Sequence, residues 1–198
     1  NNTQLTEPSI AYWLPKYLPK DISIMLSASS PVRDWLTFAG PESLVNRCFG
    51  FRGASGIDGN LSLAIGLSNV VGRLILVCGD LSLLHDTNGW LFLTHKSPPL
   101  IIFLIDNCGG GIFDQLGISK LSKGDFKQVF TMPQPLELLE LAKLHRIPTR
   151  DIKSLDELRD VIEWCLEFSG PVFVRVATDS ANDASLRNNI NDQLRRYI

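Results

Sequence analysis

Two stretches decide how this chain folds: Leu74-Ile75-Leu76-Val77-Cys78-Gly79-Asp80-Leu81-Ser82 and Leu100-Ile101-Ile102-Phe103-Leu104-Ile105-Asp106-Asn107-Cys108-Gly109-Gly110-Gly111. Each opens on an unbroken apolar run, over 74–78 and 100–105, with little alternation. That is the pattern of parallel strands covered by helices on both faces. Each run ends in a polar turn. The mostly apolar 81–95 interval can hold a crossover helix, and the right-handed crossover rule then makes the two strands parallel neighbours or near neighbours, a βαβ unit.

The same alternation extends outward. Apolar residues at helical spacing predict a helix over 8–18 that stops at Pro19, then a buried strand over 22–26 and a Ser-rich turn over 27–30. A strand over 47–51 precedes Gly53, Gly56, Gly59 and Gly66, where backbone approaches something closely, and an apolar helix over 59–71 follows. Downstream, an amphipathic helix is expected over 135–145 with Pro135 at its start. A second, over 154–168, is opened by a Ser154/Glu157 capping box, and a strand follows over 171–176. Residues 1–178 thus read as a three-layer α/β/α domain with a mostly parallel central sheet. The polar tail over 179–198 has few apolar residues to anchor it and reads as a surface helix or a frayed terminus.

At 198 residues, 44% hydrophobic and 20% charged, the chain is long enough to bury one core. Its formal net charge is −2 with basic residues dispersed, which argues against a nucleic-acid partner. The apolar runs fall well short of the roughly 20 residues a membrane helix needs, and no signal-peptide pattern is read. Cys48, Cys78, Cys108 and Cys165 lie far apart with no Cys-x-x-Cys clip, which fits a reducing cytoplasm or plastid stroma. A start at Asn1-Asn2-Thr3 suggests a processed or excised piece of something longer. Neither a Gly-x-Gly-x-x-Gly nor a Walker-type Gly-Lys-Ser/Thr is present, so the common dinucleotide and nucleoside-triphosphate readings lack their equipment.

Ligands of open parallel sheets bind beyond the carboxyl ends of the strands. There the sequence puts Asp80 and Asn107, 27 positions apart. A carboxylate and a carboxamide oxygen, joined by a carbonyl of the glycine loop such as that of Gly109 and by phosphate oxygens, make the hard oxygen shell of Mg2+, with Mn2+ as an alternative. A diphosphate would complete that shell at the start of the helix after Asp80, with Gly79 letting the backbone come close. On the residues alone, Asp80 could equally cap a helix and Asn107 make an ordinary turn.

Gly79-Asp80, the interval and Asn107 resemble the Gly-Asp-Gly to Asn signature of thiamine-diphosphate enzymes, with Leu81 at the third position. Three ordered segments sharpen the likeness: Arg52-Gly53-Ala54-Ser55-Gly56-Ile57-Asp58-Gly59, Gly79-Asp80-Leu81-Ser82, and Asn107 through Gly109-Gly110 to Ile112-Phe113. Together they resemble the 2-succinyl-5-enolpyruvyl-6-hydroxy-3-cyclohexene-1-carboxylate synthases, from the Ser29–Arg33 segment through the last strand. The likeness covers only the C-terminal domain of that family's three.

The resemblance implies a thiamine-diphosphate and Mg2+ site on Gly56, Ile57, Gly79, Asp80, Leu81, Ser82, Asn107 and Gly109, with Asp80, Asn107 and Gly109 as metal ligands. It implies that Ile57 props the cofactor in a bent shape. Arg33 and Arg52 would capture substrate carboxylates of 2-oxoglutarate and isochorismate, Ser29 would hydrogen-bond substrate, and Ile112, Phe113 and Leu116 would form an apolar wall. It further implies a role in menaquinone or phylloquinone biosynthesis and a homodimer or homotetramer. In that assembly an N-terminal pyrimidine-binding domain of another subunit brings the activating glutamate, so this chain alone would be inactive.

Some positions depart from the family. Cys108 stands where the family commonly has Asn, and Asp106 and Gly111 also differ from familiar versions of the loop. Cys108 as a nucleophile facing an anion-binding nest has no paired His in view, and a Ser55, His85, Asp86 triad lacks the Gly-x-Ser-x-Gly elbow. Two rival readings stand beside the synthase: an acetolactate-synthase-like 2-oxo acid decarboxylase, for which two cleft arginines would be superfluous, and a non-catalytic α/β interaction module.

Overall fold

The computed structural model describes residues 4–51, 53, 55–93, 97–120 and 122–196; Arg52 lies outside them. Six strands form one sheet: β1 (Ser23–Leu26), β2 (Cys48–Gly50), β3 (Leu74–Gly79), β4 (Leu100–Asp106), β5 (Thr149–Ile152) and β6 (Val172–Ala177). Their order is β2-β1-β3-β4-β6-β5, and every pair is parallel. The helices are α1 (Glu7–Tyr17), α2 (Ser30–Phe38), α3 (Asn60–Val71), α4 (Asp80–His85), α5 (Lys123–Phe126), α6 (Leu138–Leu144), α7 (Leu158–Leu166) and α8 (Ser180–Arg195).

The unalternating strands are explained by what lies on each side of them. Along β3, Ile75 and Val77 enter one apolar cluster with Leu14, Trp35 and Val161, while Leu74, Leu76 and Cys78 enter the opposite one with Leu61, Ala64 and Trp90. β4 divides likewise, Ile101, Phe103 and Ile105 on the first side and Leu100, Ile102 and Leu104 on the other. Both faces are dry, so both sets of side chains must be apolar. The chain switches direction between β1 and β3, and register pairs Leu26 with Val77 and Gly79 with Ile105. The carboxyl ends of β1, β3 and β4 therefore open side by side, where a doubly wound sheet places its ligand.

Local signals fix several boundaries. Thr6 and Ser9 exchange side-chain to backbone hydrogen bonds and start α1. The Ser154/Glu157 capping box is present, but it opens a 3-10 turn, Leu155–Glu157, ahead of α7.

One expectation needs correcting, and two other segments gain detail. The 81–95 crossover is a six-residue helix, α4, followed by a 3-10 stretch, Thr87–Phe92. The break falls at Asp86, whose carboxylate accepts from the Ser62 N–H at 2.6 Å and the Ser62 hydroxyl at 2.9 Å, and so caps α3 instead of continuing α4. Strand β5 had no sequence signal: Thr149, Arg150 and Asp151 are polar because it is an edge paired only with β6. Residues 180–195 take the helical of the two forms expected for the tail. They form α8, which buries Asp183, Ala184 and Arg187, so its anchor is ionic and an apolar tally could not see it.

Because Leu76 is fully buried on a central strand, Leu76→Ala should cost about 2–5 kcal/mol. Val70→Ala, on the exposed side of α3, should stay within about 0.5 kcal/mol. Urea denaturation of both variants checks this, and equal losses would contradict the two-sided core.

Candidate functional site

Three loops wall a pocket of about 170 Å³: Ala28–Pro31 after β1, Gly79–Ser82 after β3 and Asn107, Gly109–Phe113 after β4. Ile57 and residues of α1 and α2, among them Glu7, Asp34 and Trp35, close its other sides. Of the expected site residues, Ser29, Ile57, Gly79, Asp80, Leu81, Ser82, Asn107, Gly109, Ile112 and Phe113 line it together. Gly56, Arg33 and Leu116 do not. Gly56 and Leu116 are exposed, as is Arg33, whose Nη1 donates to the Ser29 carbonyl at 2.8 Å.

Asp80 is the buried polar centre of the pocket, 5% exposed. Its Oδ1 accepts from the Leu81 N–H at 2.8 Å and its Oδ2 from the Gly109 N–H at 2.6 Å, tying the end of β3 to the loop after β4. The Leu81 amide, which a helix start would have offered to an anion, is thus taken by Asp80 itself. Burial pushes the Asp80 carboxyl up to about 7, against the pull of those two amides.

The glycine loop is shaped residue by residue. Asp106 accepts from Arg175 Nε at 2.7 Å and from the Cys108 N–H at 3.2 Å, so a strand-end carboxylate, held by β6, fixes the loop's second residue. Cys108 takes a positive φ of 61° and is exposed, with its thiol pushed up chiefly by burial and by the charges of Asp106 and Asp80. Neither trend makes a nucleophile. Gly109 has φ 126°, and a Cβ there would run into the Thr131 carbonyl. Gly111, the unfamiliar glycine, leaves room for Asn107 Nδ2, 2.5 Å from where its Cβ would be.

Asn107 donates from Nδ2 to Glu7 Oε1 at 2.6 Å. Its Oδ1 is buried with no hydrogen-bond partner among the described residues, a state that costs about 1–3 kcal/mol unless a ligand fills it. A bare carboxamide oxygen sharing a pocket wall with a buried carboxylate is a fitting donor pair for a hard divalent cation. The Gly109 carbonyl also lies here, already accepting from the Gly111 N–H at 2.9 Å, with a second lone pair to spare.

Ile57 is held stiffly, its carbonyl accepting from Asn60 Nδ2 and from Ser82 Oγ, both at 2.7 Å. The Ser82 hydroxyl proton, expected at the cofactor, is spent positioning Ile57. Ser29 has φ 77° at the start of α2, a strained setting for a non-glycine residue of the kind that collects at ligand sites. His85 and Asp86 form no triad with Ser55, since Asp86 is occupied by Ser62.

Sequence reading missed a buried charge cluster behind the pocket. Arg187 of α8 reaches Asp34 through Nε at 3.0 Å and Nη2 at 2.5 Å, and Glu7 Oε2 through Nη2 at 2.5 Å. Asp183 Oδ1 accepts from the Glu7 N–H at 2.9 Å. Burial raises Asp34 to about 6 and Asp183 to about 7. These partners lie up to 180 positions apart, and no local pattern joins them.

Comparison with known proteins bears on this geometry. Residues 32–176 match the family model described as "Thiamine pyrophosphate enzyme, C-terminal TPP binding domain". A 2-succinyl-5-enolpyruvyl-6-hydroxy-3-cyclohexene-1-carboxylate synthase of Prochlorococcus marinus is 54% identical over 197 residues, covering 100% of this chain and 34% of the relative. One from a Synechococcus species is 50% identical over 186 residues, 94% of this chain and 33% of the relative. The chain therefore spans about a third of the length of the curated relatives it matches. Among solved structures, benzoylformate decarboxylase from Polynucleobacter necessarius superposes with a TM-score of 0.67 at 19% identity, over 89% of this chain and 33% of that one, a likeness of fold.

Asp34, Asp80 and Asp183 all have folded pKa values above their ordinary 3.8. The folded state therefore binds more protons than the unfolded one between about pH 4 and about pH 7, and stability falls as pH rises through that window. With EDTA present, the urea midpoint should be higher at about pH 5 than at about pH 8, and Asp80→Asn should flatten the slope. A midpoint that climbs over that range would contradict these assignments.

Proposed function

The chain belongs to the thiamine pyrophosphate enzyme C-terminal TPP-binding domain family, and on that premise we propose that it is the cofactor-holding domain of a 2-succinyl-5-enolpyruvyl-6-hydroxy-3-cyclohexene-1-carboxylate synthase. Such a transferase would join 2-oxoglutarate, less carbon dioxide, to isochorismate on the way to menaquinone or phylloquinone. The observation that carries this is the pairing at adjacent strand ends of the buried Asp80 carboxylate with the unpartnered Oδ1 of Asn107. Identities of 50% and above over nearly the whole chain support the specific synthase over other members of the family.

Asp80, Asn107 Oδ1 and the Gly109 carbonyl would hold Mg2+, or Mn2+ in its place, and through it the diphosphate. Bound thiamine diphosphate would supply a nucleophilic ring carbon and an electron sink for decarboxylation. The chain's own residues bind, orient and exclude water. Ile57, braced by Asn60 and Ser82, presents a fixed apolar side chain to the pocket. Ile112 and Phe113 keep the neighbouring wall apolar, where loss of a charged carboxylate is favoured.

Arg33 spends one Nη1 contact on Ser29 and keeps its remaining donors for substrate carboxylates, a task for which a planar guanidinium suits. Arg52, outside the described residues, is proposed for the same role. Ser29, which lines the pocket, would hydrogen-bond substrate; Leu116, exposed and outside the pocket lining, is proposed for the substrate side on the resemblance alone. The activating glutamate would come from an N-terminal domain of another subunit in a homodimer or homotetramer. Four free cysteines fit a cytoplasmic or stromal setting.

Calorimetry with thiamine diphosphate and Mg2+ on the protein carrying its N-terminal domains tests the site: Asp80→Ala should weaken binding by about a hundredfold or more, at or beyond the top of the range for losing a partner one step behind a ligand. Equal binding by both proteins would sink the metal assignment. Turnover of pyruvate as efficient as that of 2-oxoglutarate with isochorismate would favour the acetolactate-synthase-like reading instead.

A further inference from the structure

We propose that Arg187 on α8 is a positioning residue for the cation site, fixing through Glu7 which end of the Asn107 carboxamide faces the pocket. The inference rests on the reading of Asn107 as a metal ligand and adds the element that makes it one.

A carboxamide can turn either its oxygen or its NH2 toward a neighbour, and only the oxygen binds a cation. In Asn107 the choice is made by Glu7. The Glu7 carboxylate offers acceptors alone, so it takes the Nδ2 donor at 2.6 Å and leaves Oδ1 as the unpartnered atom. Glu7 is in turn held at two points by one helix. Arg187 pairs with its Oε2 at 2.5 Å, and Asp183, one turn earlier on α8, accepts from its N–H at 2.9 Å. Arg187 keeps its own place by the two-point contact to Asp34 of α2.

The rest of α8 gives no reason for this burial. Among the described residues, its buried positions are Asp183, Ala184 and Arg187, and two of those three grip Glu7. A polar helix that sinks a carboxylate and a guanidinium pays a desolvation cost; here the burial places an acceptor against the Asn107 amide. Partners of this kind, one step behind a ligand, typically change metal affinity by about 10–100-fold when removed.

The test is Mn2+ binding, followed by electron paramagnetic resonance at saturating thiamine diphosphate, in the purified full-length protein. Arg187→Met should raise the Mn2+ dissociation constant about tenfold or more, and Glu7→Gln, which can offer Asn107 an NH2 and so permit the flipped amide, should do the same. The double variant should lose no more than the worse of the two singles, since both act through one contact.

Ala184→Gly loosens the same helix without removing a polar contact. It should lower the unfolding temperature and leave the Mn2+ constant unchanged; a matching loss of Mn2+ affinity there would reduce Arg187 to a structural anchor and overturn the proposal. Wild-type Mn2+ affinity in folded Arg187→Met also overturns it, and if that variant does not fold, wild-type affinity in Glu7→Gln does. Asp80→Asn separates the two levels. If it too leaves Mn2+ binding intact, the cation-site reading itself fails, whereas loss in Asp80→Asn with none in Arg187→Met or Glu7→Gln refutes only the positioning role.

Discussion

The carboxylate of Asp80 is withdrawn from water at the seam between two parallel strands, and much of the pocket is organised around keeping it there. Its oxygens accept amide protons from Leu81 and Gly109, which sets the angle at which the chain leaves β3 and the path of the loop that leaves β4. That path is so tight that a side chain at Gly109 or Gly110 would strike the carbonyls of Thr131 and Phe130. The sheet makes such an arrangement possible because its two faces are given over to apolar packing, leaving the strand ends as the place where polar groups converge.

Around that seam the loop after β4 is governed by three carboxylates in succession. Glu7 holds the Asn107 side chain, Asp106 the Cys108 amide and Asp80 the Gly109 amide. Cations stand behind two of them: Arg187 behind Glu7 and Arg175 behind Asp106. Asp80 alone has no protein cation paired with it among the described residues. This asymmetry suits the proposed cation site, with counter-charges on the supports and the Asp80 charge left for an ion. Cys108, at the position where the resemblance leads one to expect Asn, is held through its backbone amide by Asp106, and its side chain is exposed.

What could be read from the sequence was local and periodic. β3 and β4 announced themselves because burial on both faces removes alternation. Asp80 and Asn107 followed from lying just past the carboxyl ends of those runs, and the capping box at Ser154 could be seen within four consecutive residues. What could not be read depended on distance. Arg187 looks like one more charge on a surface helix until Glu7 and Asp34 are seen beside it, and the crossover helix looked long because nothing in 81–95 reveals that Asp86 belongs to the N-terminus of α3. Arg33 is the intermediate case: resemblance singled it out, while the fold sets it on the exposed side of α2 with its guanidinium against Ser29.

The 180-residue separation between Glu7 and Arg187 has a consequence for how the domain is assembled. Parallel sheets form through long-range pairings and are slow to complete, and a chain made from its N-terminus presents α1 and α2 first. During that interval Glu7 and Asp34 lack their shared guanidinium, so the acids behind the pocket repel one another and have every reason to stay hydrated. Those two carboxylates gain their shared counter-charge only when α8 arrives. A domain that had built its sheet before α8 docked would therefore still lack the guanidinium behind Glu7 and Asp34.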